Sequence, residues 1–253
     1  MMRTVLVYLT LTALTFSVAL FVVIATTLGF KVKPDGLLER APGFFCRWVM
    51  RAAGARILIN HPQHIVHGEA RIFVANHVSW FDVFALASII PRFRFIAKKE
   101  LQRIPVWGRA VSKVAAIFID RQNRKAAFDA YTDAALQVRT GISVVVCPEG
   151  TRGRSYELRP FKKGPFVLAI AAQVPLVPCV LYGTREIQPK GAIRIRSGVA
   201  EITLLDPIPT AGLTYEDRDT LMQTVWDRMA AELERRHGVH SSGAAIDTRP
   251  TSA

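Results

Sequence analysis

The sequence predicts an α/β fold: a single domain with a central mixed or mostly parallel sheet flanked by helices, preceded by an N-terminal membrane-anchoring helical segment. Three observations predict it. Short β-rich apolar runs alternate with longer stretches of helical period along most of the chain. Of the 253 residues 50% are hydrophobic, enough to build a core without disulfides or a structural metal. The third is an N-terminal stretch, residues 4–30, that carries no charge.

Taken in order, that stretch lies between Arg3 and Lys31. At ~1.5 Å per residue it is long enough to cross a hydrocarbon core of roughly 30 Å. A signal peptide is one rival reading, but no A-x-A-like site stands before Lys31-Val32-Lys33. A shallow interfacial hairpin is the other, given the threonines of the segment. Arg40, Arg47, Arg51 and Arg56 follow, which by the positive-inside rule keeps the main body on the cytoplasmic side. In residues 43–53, Phe45, Trp48, Val49 and Ala52 recur at helical spacing, and Arg47 and Arg51 share another stripe. This reads as an interfacial amphipathic helix or as a core-packing helix with solvated arginines. Residues 1–55 are thus the anchor and 56–237 the main domain. Within the domain, strand runs fall at 56–60, 71–75, 94–97, 114–119, 142–147, 176–181 and 200–205. Helical stretches fall near 81–90, 123–139, 164–172 and 216–237. The small, polar residues 238–253 read as a disordered tail. Neither an internal repeat nor a second domain is visible.

A formal charge of +13 points to an anionic partner, either nucleic acid or an anionic membrane surface. The apolar N-terminus favours lipid, and no helix-turn-helix, zinc-finger or RNP signature supports nucleic acid. The cysteines Cys46, Cys147 and Cys179 are widely spaced and odd in number. They form no zinc pattern and no disulfide framework, which favours a reducing compartment and gives no reason to expect a metal.

Three constellations carry candidate chemistry. The first is Asn76-His77-Val78-Ser79-Trp80-Phe81-Asp82, where a strand run gives way to a helical one. Active residues of α/β sheets collect at such strand ends. A histidine there can take a proton from an alcohol near neutral pH, and a carboxylate on its other ring nitrogen holds the tautomer. Read on spacing alone, Asp82 is a helix cap and His77 a loop residue. The second is Cys147-Pro148-Glu149-Gly150-Thr151-Arg152-Gly153-Arg154, after another apolar strand run. Its glycines allow close backbone approach, its arginines suit phosphate, and Glu149 suits either those arginines or a substrate hydroxyl. A surface turn is the alternative, and the Walker pattern of a P-loop is absent. The third is a basic band over residues 91–125, ten cations against two anions, in which Lys98 and Arg121 lie at the ends of strand runs.

In this order the three pieces resemble the 1-acylglycerol-3-phosphate acyltransferases of the lysophospholipid acyltransferase superfamily. Asn76-His77-x-Ser79-x-x-Asp82 looks like the family's H-x4-D block. Lys98-Lys99-Glu100-Leu101, Ile104-Pro105-Val106-Trp107-Gly108 and Phe118-Ile119-Asp120-Arg121 look like its second. Pro148-Glu149-Gly150-Thr151-Arg152, with Phe161-Lys162-Lys163-Gly164 behind it, resembles the third, and Val174-Pro175-Leu176-Val177-Pro178 the fourth. Cys147 stands where the family usually has phenylalanine, and Ala115-Ala116 replace glycines common before the arginine of the second block.

The resemblance implies direct transfer of a fatty acyl group from acyl-CoA or acyl-carrier protein to the free hydroxyl of a lysophospholipid in a membrane, without cofactor or acyl-enzyme. It implies His77 and Asp82 as catalytic residues. Lys98, Arg121 and Arg152 would hold the acceptor's phosphate, and Glu149, Gly150 and Thr151 would shape its pocket. Lysophosphatidic acid is the first-choice acceptor; another lysolipid, such as an ornithine-type aminoacyl lipid, is the alternative. A hydrolase using Ser79 is disfavoured by the missing G-x-S-x-G elbow. A non-enzymatic membrane-associated binding protein is the remaining rival. Because the family blocks begin at Asn76, the anchor is expected to be separable from them.

Overall fold

A long helix opens the chain, running from Met2 to Thr27. It comprises α1 (Met2–Leu14), a π-helical turn (Thr15–Ala19) and α2 (Leu20–Thr27). Next come α3 (Leu37–Ala52), β1 (Ala55–Asn60), β2 (Ile72–Ala75), α4 (Trp80–Ile89) and β3 (Phe93–Lys98). The middle of the chain forms α5 (Trp107–Val114), β4 (Ala116–Ile119), α6 (Arg124–Arg139), β5 (Ser143–Val146) and α7 (Gly164–Ala172). It closes with β6 (Leu176–Tyr182), α8 (Thr184–Ile187), β7 (Gly198–Leu204) and α9 (Arg218–His237). This computed structural model describes residues 1–120 and 123–245.

The seven strands form one sheet in the order β1-β7-β6-β2-β5-β3-β4. Neighbours pair in parallel except β6 with β7, which are antiparallel, so the sheet is mixed. The side-chain period of two sorts the central strands onto two faces. Ile72, Val74, Val144, Val146, Leu176 and Val180 pack with residues of α6, α7 and α9. Phe73, Ala75, Val145, Val177, Cys179 and Leu181 face the opposite way, against α3 and α4. Strands covered on both faces read as almost continuous apolar runs, which is why β2, β5 and β6 stand out in the sequence.

Helix α5 is a departure from the sequence reading, which ran residues 114–119 together as a strand. It has eight residues and a strongly polar outer side, too short for helical period to show. Residues 241–245 also differ from the disordered tail read from composition. Ser241 Oγ accepts from the Leu158 N–H at 3.0 Å, the Ala245 carbonyl accepts from the Phe161 N–H at 2.7 Å, and Ala245 is buried. Small residues let this segment approach and satisfy donors of an irregular loop. Residues 246–253 lie outside the described residues.

The N-terminal helix is not set apart from the body. Arg3 donates to the Ala53 carbonyl at 3.1 Å, and Thr4 exchanges hydrogen bonds with the backbone of Ile195. Farther along, Ala19 and Val22 are buried with Leu38, Ala41, Ala110 and Val114 of α3 and α5. Its outer side remains apolar and exposed at Leu9, Phe16, Leu20 and Ile24. Helix α3 carries both characters the sequence suggested. Cys46, Val49 and Met50 are buried, while Phe44 and Trp48 are exposed, edge to face, with Arg51 over the Trp48 ring at 5.4 Å.

Candidate active site

Strands β2, β5 and β3 are adjacent and parallel, so their carboxyl ends open on one edge of the sheet. The first two expected clusters begin there, and Lys98 of the third stands at the end of β3. At the end of β2, Asn76 is buried and its side-chain amide exchanges hydrogen bonds with Leu181 of β6, at 3.0 and 2.7 Å. The side chain thereby stands in for backbone pairing at the point where the main chain turns off the sheet. His77 follows. Ser79 then caps α4, accepting from the Phe81 N–H at 3.1 Å, and Asp82 closes a capping box.

That box builds the dyad. Asp82 Oδ2 accepts from the N–H groups of Val78 and Ser79, at 2.7 and 2.8 Å, and lies 2.8 Å from His77 Nδ1. Its other oxygen, Oδ1, accepts from the Thr184 hydroxyl. Asp82 is 0% exposed. Because the carboxylate is an acceptor, Nδ1 carries the imidazole proton, and Nε2 is left as the basic nitrogen. The two readings weighed from spacing, helix cap and histidine partner, are one and the same side chain. Ser79 is fully buried and its hydroxyl donates to the Gln188 carbonyl at 2.8 Å, so it is unavailable as a nucleophile.

The turn after β5 grips His77 by its main chain. Glu149 Oε1 accepts from the His77 N–H at 2.9 Å, and the His77 carbonyl accepts from the Gly153 N–H at 2.7 Å. Gly150 holds φ at +77°, a conformation open to glycine and strained for other residues. Glu149 is buried, and burial pushes its carboxyl above the ordinary range, against the opposing pull of the Arg159 guanidinium. Its second oxygen accepts from Arg159 Nε at 2.8 Å. The sequence reading gave Glu149 the acceptor pocket or the arginines at 152 and 154; the structure turns it instead onto Arg159 and the His77 backbone.

His77 opens onto a cavity of about 420 Å³ with an almost wholly apolar lining. Volumes of about 300–1,000 Å³ are usual for small-molecule sites. Leu11 and Val18 of the N-terminal helix, Phe45 of α3, Phe84 of α4, Phe95 of β3 and Val111 of α5 form walls. Polar groups share the lining with His77: Lys98, Thr151 and Arg152 line the same cavity, with Gly150 and Cys147. The Arg152 guanidinium lies over the Trp80 ring at 4.9 Å, and burial lowers its pKa, with Asp82 opposing. Lys98 pairs with Glu100 at 3.0 Å in a half-exposed ion pair. Arg121 lies outside the described residues, although β4 ends at Ile119 in register with Lys98. The rest of the basic band is not uniformly solvated. Arg94 is buried and donates to the carbonyls of Phe93 and Val114, and Arg92 pairs with the buried Glu39 at 3.3 Å.

A family model described as Acyltransferase matches residues 56–182, the segment that carries His77, Asp82, Glu149 and Arg152. The chain belongs to that acyltransferase family. It is 34% identical over 174 residues to the human 1-acyl-sn-glycerol-3-phosphate acyltransferase alpha, covering 68% of this chain and 62% of the relative. To the human beta form it is also 34% identical, over 184 residues, covering 72% of this chain and 66% of the relative. The matched region thus spans a little under two thirds of these curated relatives. Among solved structures, the 1-acyl-sn-glycerophosphate acyltransferase PlsC from Thermotoga maritima has the same fold. The TM-score is 0.72 at 21% identity, over 94% of this chain and 99% of that one.

Two residues of this acyltransferase-family site escape a reading of the sequence. Thr184, just past the carboxyl end of β6 at the start of α8, is 0% exposed and supplies the second anchor of Asp82. Arg159 supplies the counter-charge of Glu149 and donates a further hydrogen bond to the Thr151 carbonyl. Both contacts are tertiary. Thr184 follows Gly183 at a strand end, and that turn is the one signal that singles it out.

Proposed function

We propose that the protein transfers a fatty acyl group from a thioester donor, acyl-CoA or acyl-carrier protein, to the free hydroxyl of 1-acylglycerol-3-phosphate, giving phosphatidic acid. The observation that carries this reading is a His–Asp pair whose histidine lines an apolar cavity together with the cations Lys98 and Arg152. His77 Nε2 takes the proton of the acceptor hydroxyl as its oxygen attacks the thioester carbonyl. The tetrahedral oxyanion collapses, the C–S bond breaks, and the imidazolium returns its proton to the departing thiolate. Asp82 holds the ring and its charge favours the imidazolium. Thiolate leaves readily from an activated ester, so no acyl-enzyme is required. The apolar cavity takes the acyl chain, and Lys98, Arg121 and Arg152 take the phosphate through charge-assisted contacts. The relatives, named for acylation of 1-acyl-sn-glycerol-3-phosphate, support this acceptor.

The same reading places the protein at a membrane. Exposed apolar residues of the N-terminal helix meet lipid, with Trp48 and Phe44 beside them and the body on the cytoplasmic side. The test is turnover of the purified protein on a panel of lysolipids, with and without phosphate, each offered both donors and read by mass spectrometry. Acylation of lysophosphatidic acid above all others is expected. Equal use of an acceptor lacking phosphate would refute the assignment of the cations, and preference for an aminoacyl lysolipid would change the acceptor.

A further inference from the structure

We propose that Arg159 is a positioning residue for the reaction: by gripping the buried Glu149 carboxylate, it fixes the main chain of His77 against the cavity. The inference rests on the acyl-transfer reading above and adds to it a residue ten positions beyond Glu149. Four contacts make the linkage continuous. Arg159 Nε donates to Glu149 Oε2 at 2.8 Å, and Nη2 of the same guanidinium donates to the Thr151 carbonyl. Glu149 Oε1 accepts from the His77 N–H at 2.9 Å. The His77 carbonyl is held in turn by the Gly153 N–H, on the same turn, at 2.7 Å. One guanidinium therefore spans the turn and, through a single carboxylate, locks the peptide that carries the imidazole.

Glu149 is a costly tether without Arg159. Its side chain is 2% exposed, whereas that of Arg159 is 36% exposed, so the carboxylate is the member of the pair that water does not reach. A buried carboxylate left without its cation takes up a proton instead of staying charged. Burial already raises the carboxyl, and the groups that oppose it are Arg159, by hydrogen bond and charge, then the His77 backbone and the His77 ring charge. Removal of Arg159 therefore moves the protonation of Glu149 to higher pH. Once protonated, Glu149 no longer makes a charge-assisted bond to the His77 N–H, and the peptide loosens. The sign follows: an Arg159 variant fails first on the acid side and recovers as pH rises.

The experiment compares wild type, Arg159→Leu, Arg159→Lys, Glu149→Gln and the Glu149→Gln/Arg159→Leu double variant across pH. Thermal denaturation of each serves as the folding control. For Arg159→Leu, kcat is expected to fall roughly 10–100-fold with KM little changed, the range typical when a residue that orients another functional side chain, such as a metal-bound histidine, is removed. The acid limb of its kcat profile is expected at higher pH. Arg159→Lys keeps the charge and is expected to restore the wild-type profile with part of the rate. The double variant is expected to be no worse than Glu149→Gln alone, because both changes cut the same linkage. Histidine-selective 15N labelling gives a second readout independent of turnover. In Arg159→Leu the His77 amide should titrate at higher pH than in wild type. A wild-type kcat profile together with an unmoved His77 amide in Arg159→Leu would overturn the proposal. So would a rise confined to the KM for phosphate-bearing acceptors, which would make Arg159 a direct ligand. A wild-type protein without acyl transfer to any lysolipid would overturn the functional reading instead, while the amide titration still decides the role of Arg159.

Discussion

In the proposed reaction, His77 and Asp82 make a pair in which stability and reactivity share one carboxylate. Oδ2 caps the first turn of α4 and receives the imidazole, while Oδ1 takes the Thr184 hydroxyl. The two variants therefore separate the two duties. His77→Ala removes the proton acceptor and leaves the cap, so turnover should fall by roughly 10²–10⁴-fold with the denaturation midpoint nearly unchanged. Asp82→Asn keeps an acceptor oxygen but not the charge. It should lose turnover severely and also about 1 kcal/mol of stability, the usual worth of a capping side chain. Steady-state rates and urea unfolding measured on the same preparations check both. Near-wild-type turnover of either well-folded variant would dismiss the dyad. These two residues were legible through the resemblance to a family block confined to one loop and one helical turn, since spacing alone read Asp82 as a helix cap and His77 as a loop residue. Arg159 and Thr184 were not, because sequence carries no record of which loops a sheet edge brings together.

Elements were more legible than their arrangement. The strand runs at 71–75, 142–147 and 176–181 match β2, β5 and β6 to within a residue at each end, because these strands are buried on both faces and so mostly apolar. The helical stretch 164–172 coincides with α7. Strand order left no such trace: β2 pairs with β5 and β6, both far along the chain, through crossovers that spacing does not encode. The link from β6 to α8 shows how much hangs on one such connection. Gly183 has φ +82°, and a Cβ there would meet the Val199 carbonyl oxygen at 2.0 Å. Gly183→Ala combines a strained backbone with a clash against a neighbouring strand. It should cost more than about 1 kcal/mol of stability and should also lower kcat, because Thr184 would be pulled from Asp82. Unchanged kcat in a folded Gly183→Ala protein would show that Thr184 tolerates the shift.

For the molecule as a whole, the N-terminal helix and the candidate site are packed into one body. The first helix contributes Leu11, Thr15, Val18, Ala19 and Val22 to the cavity that His77 faces. Deleting residues 1–30 should therefore abolish most activity on detergent-dispersed substrate as well as on bilayers, besides weakening flotation with anionic liposomes. Residual flotation should fall with added salt, since it would rest on screened charges. Full activity of the truncated protein in detergent would mean that the remaining walls suffice. The π-helical turn in the middle of this helix bears on how the chain tolerates changes of length. A π turn is an α-helix with one residue too many, and here the surplus lies between two halves, α1 packed on α3 and α2 mainly on α5. Loss of one residue at the exposed Ser17 would absorb that surplus and leave both halves seated. The same loss at Leu9 or Phe21 would swing everything on one side of it by about 100° around the helix axis and turn buried Val7 or Val22 toward solvent. Within this helix, then, the spacing between the two seats is adjustable at a single joint, and a shortened relative would be expected to have lost its residue there.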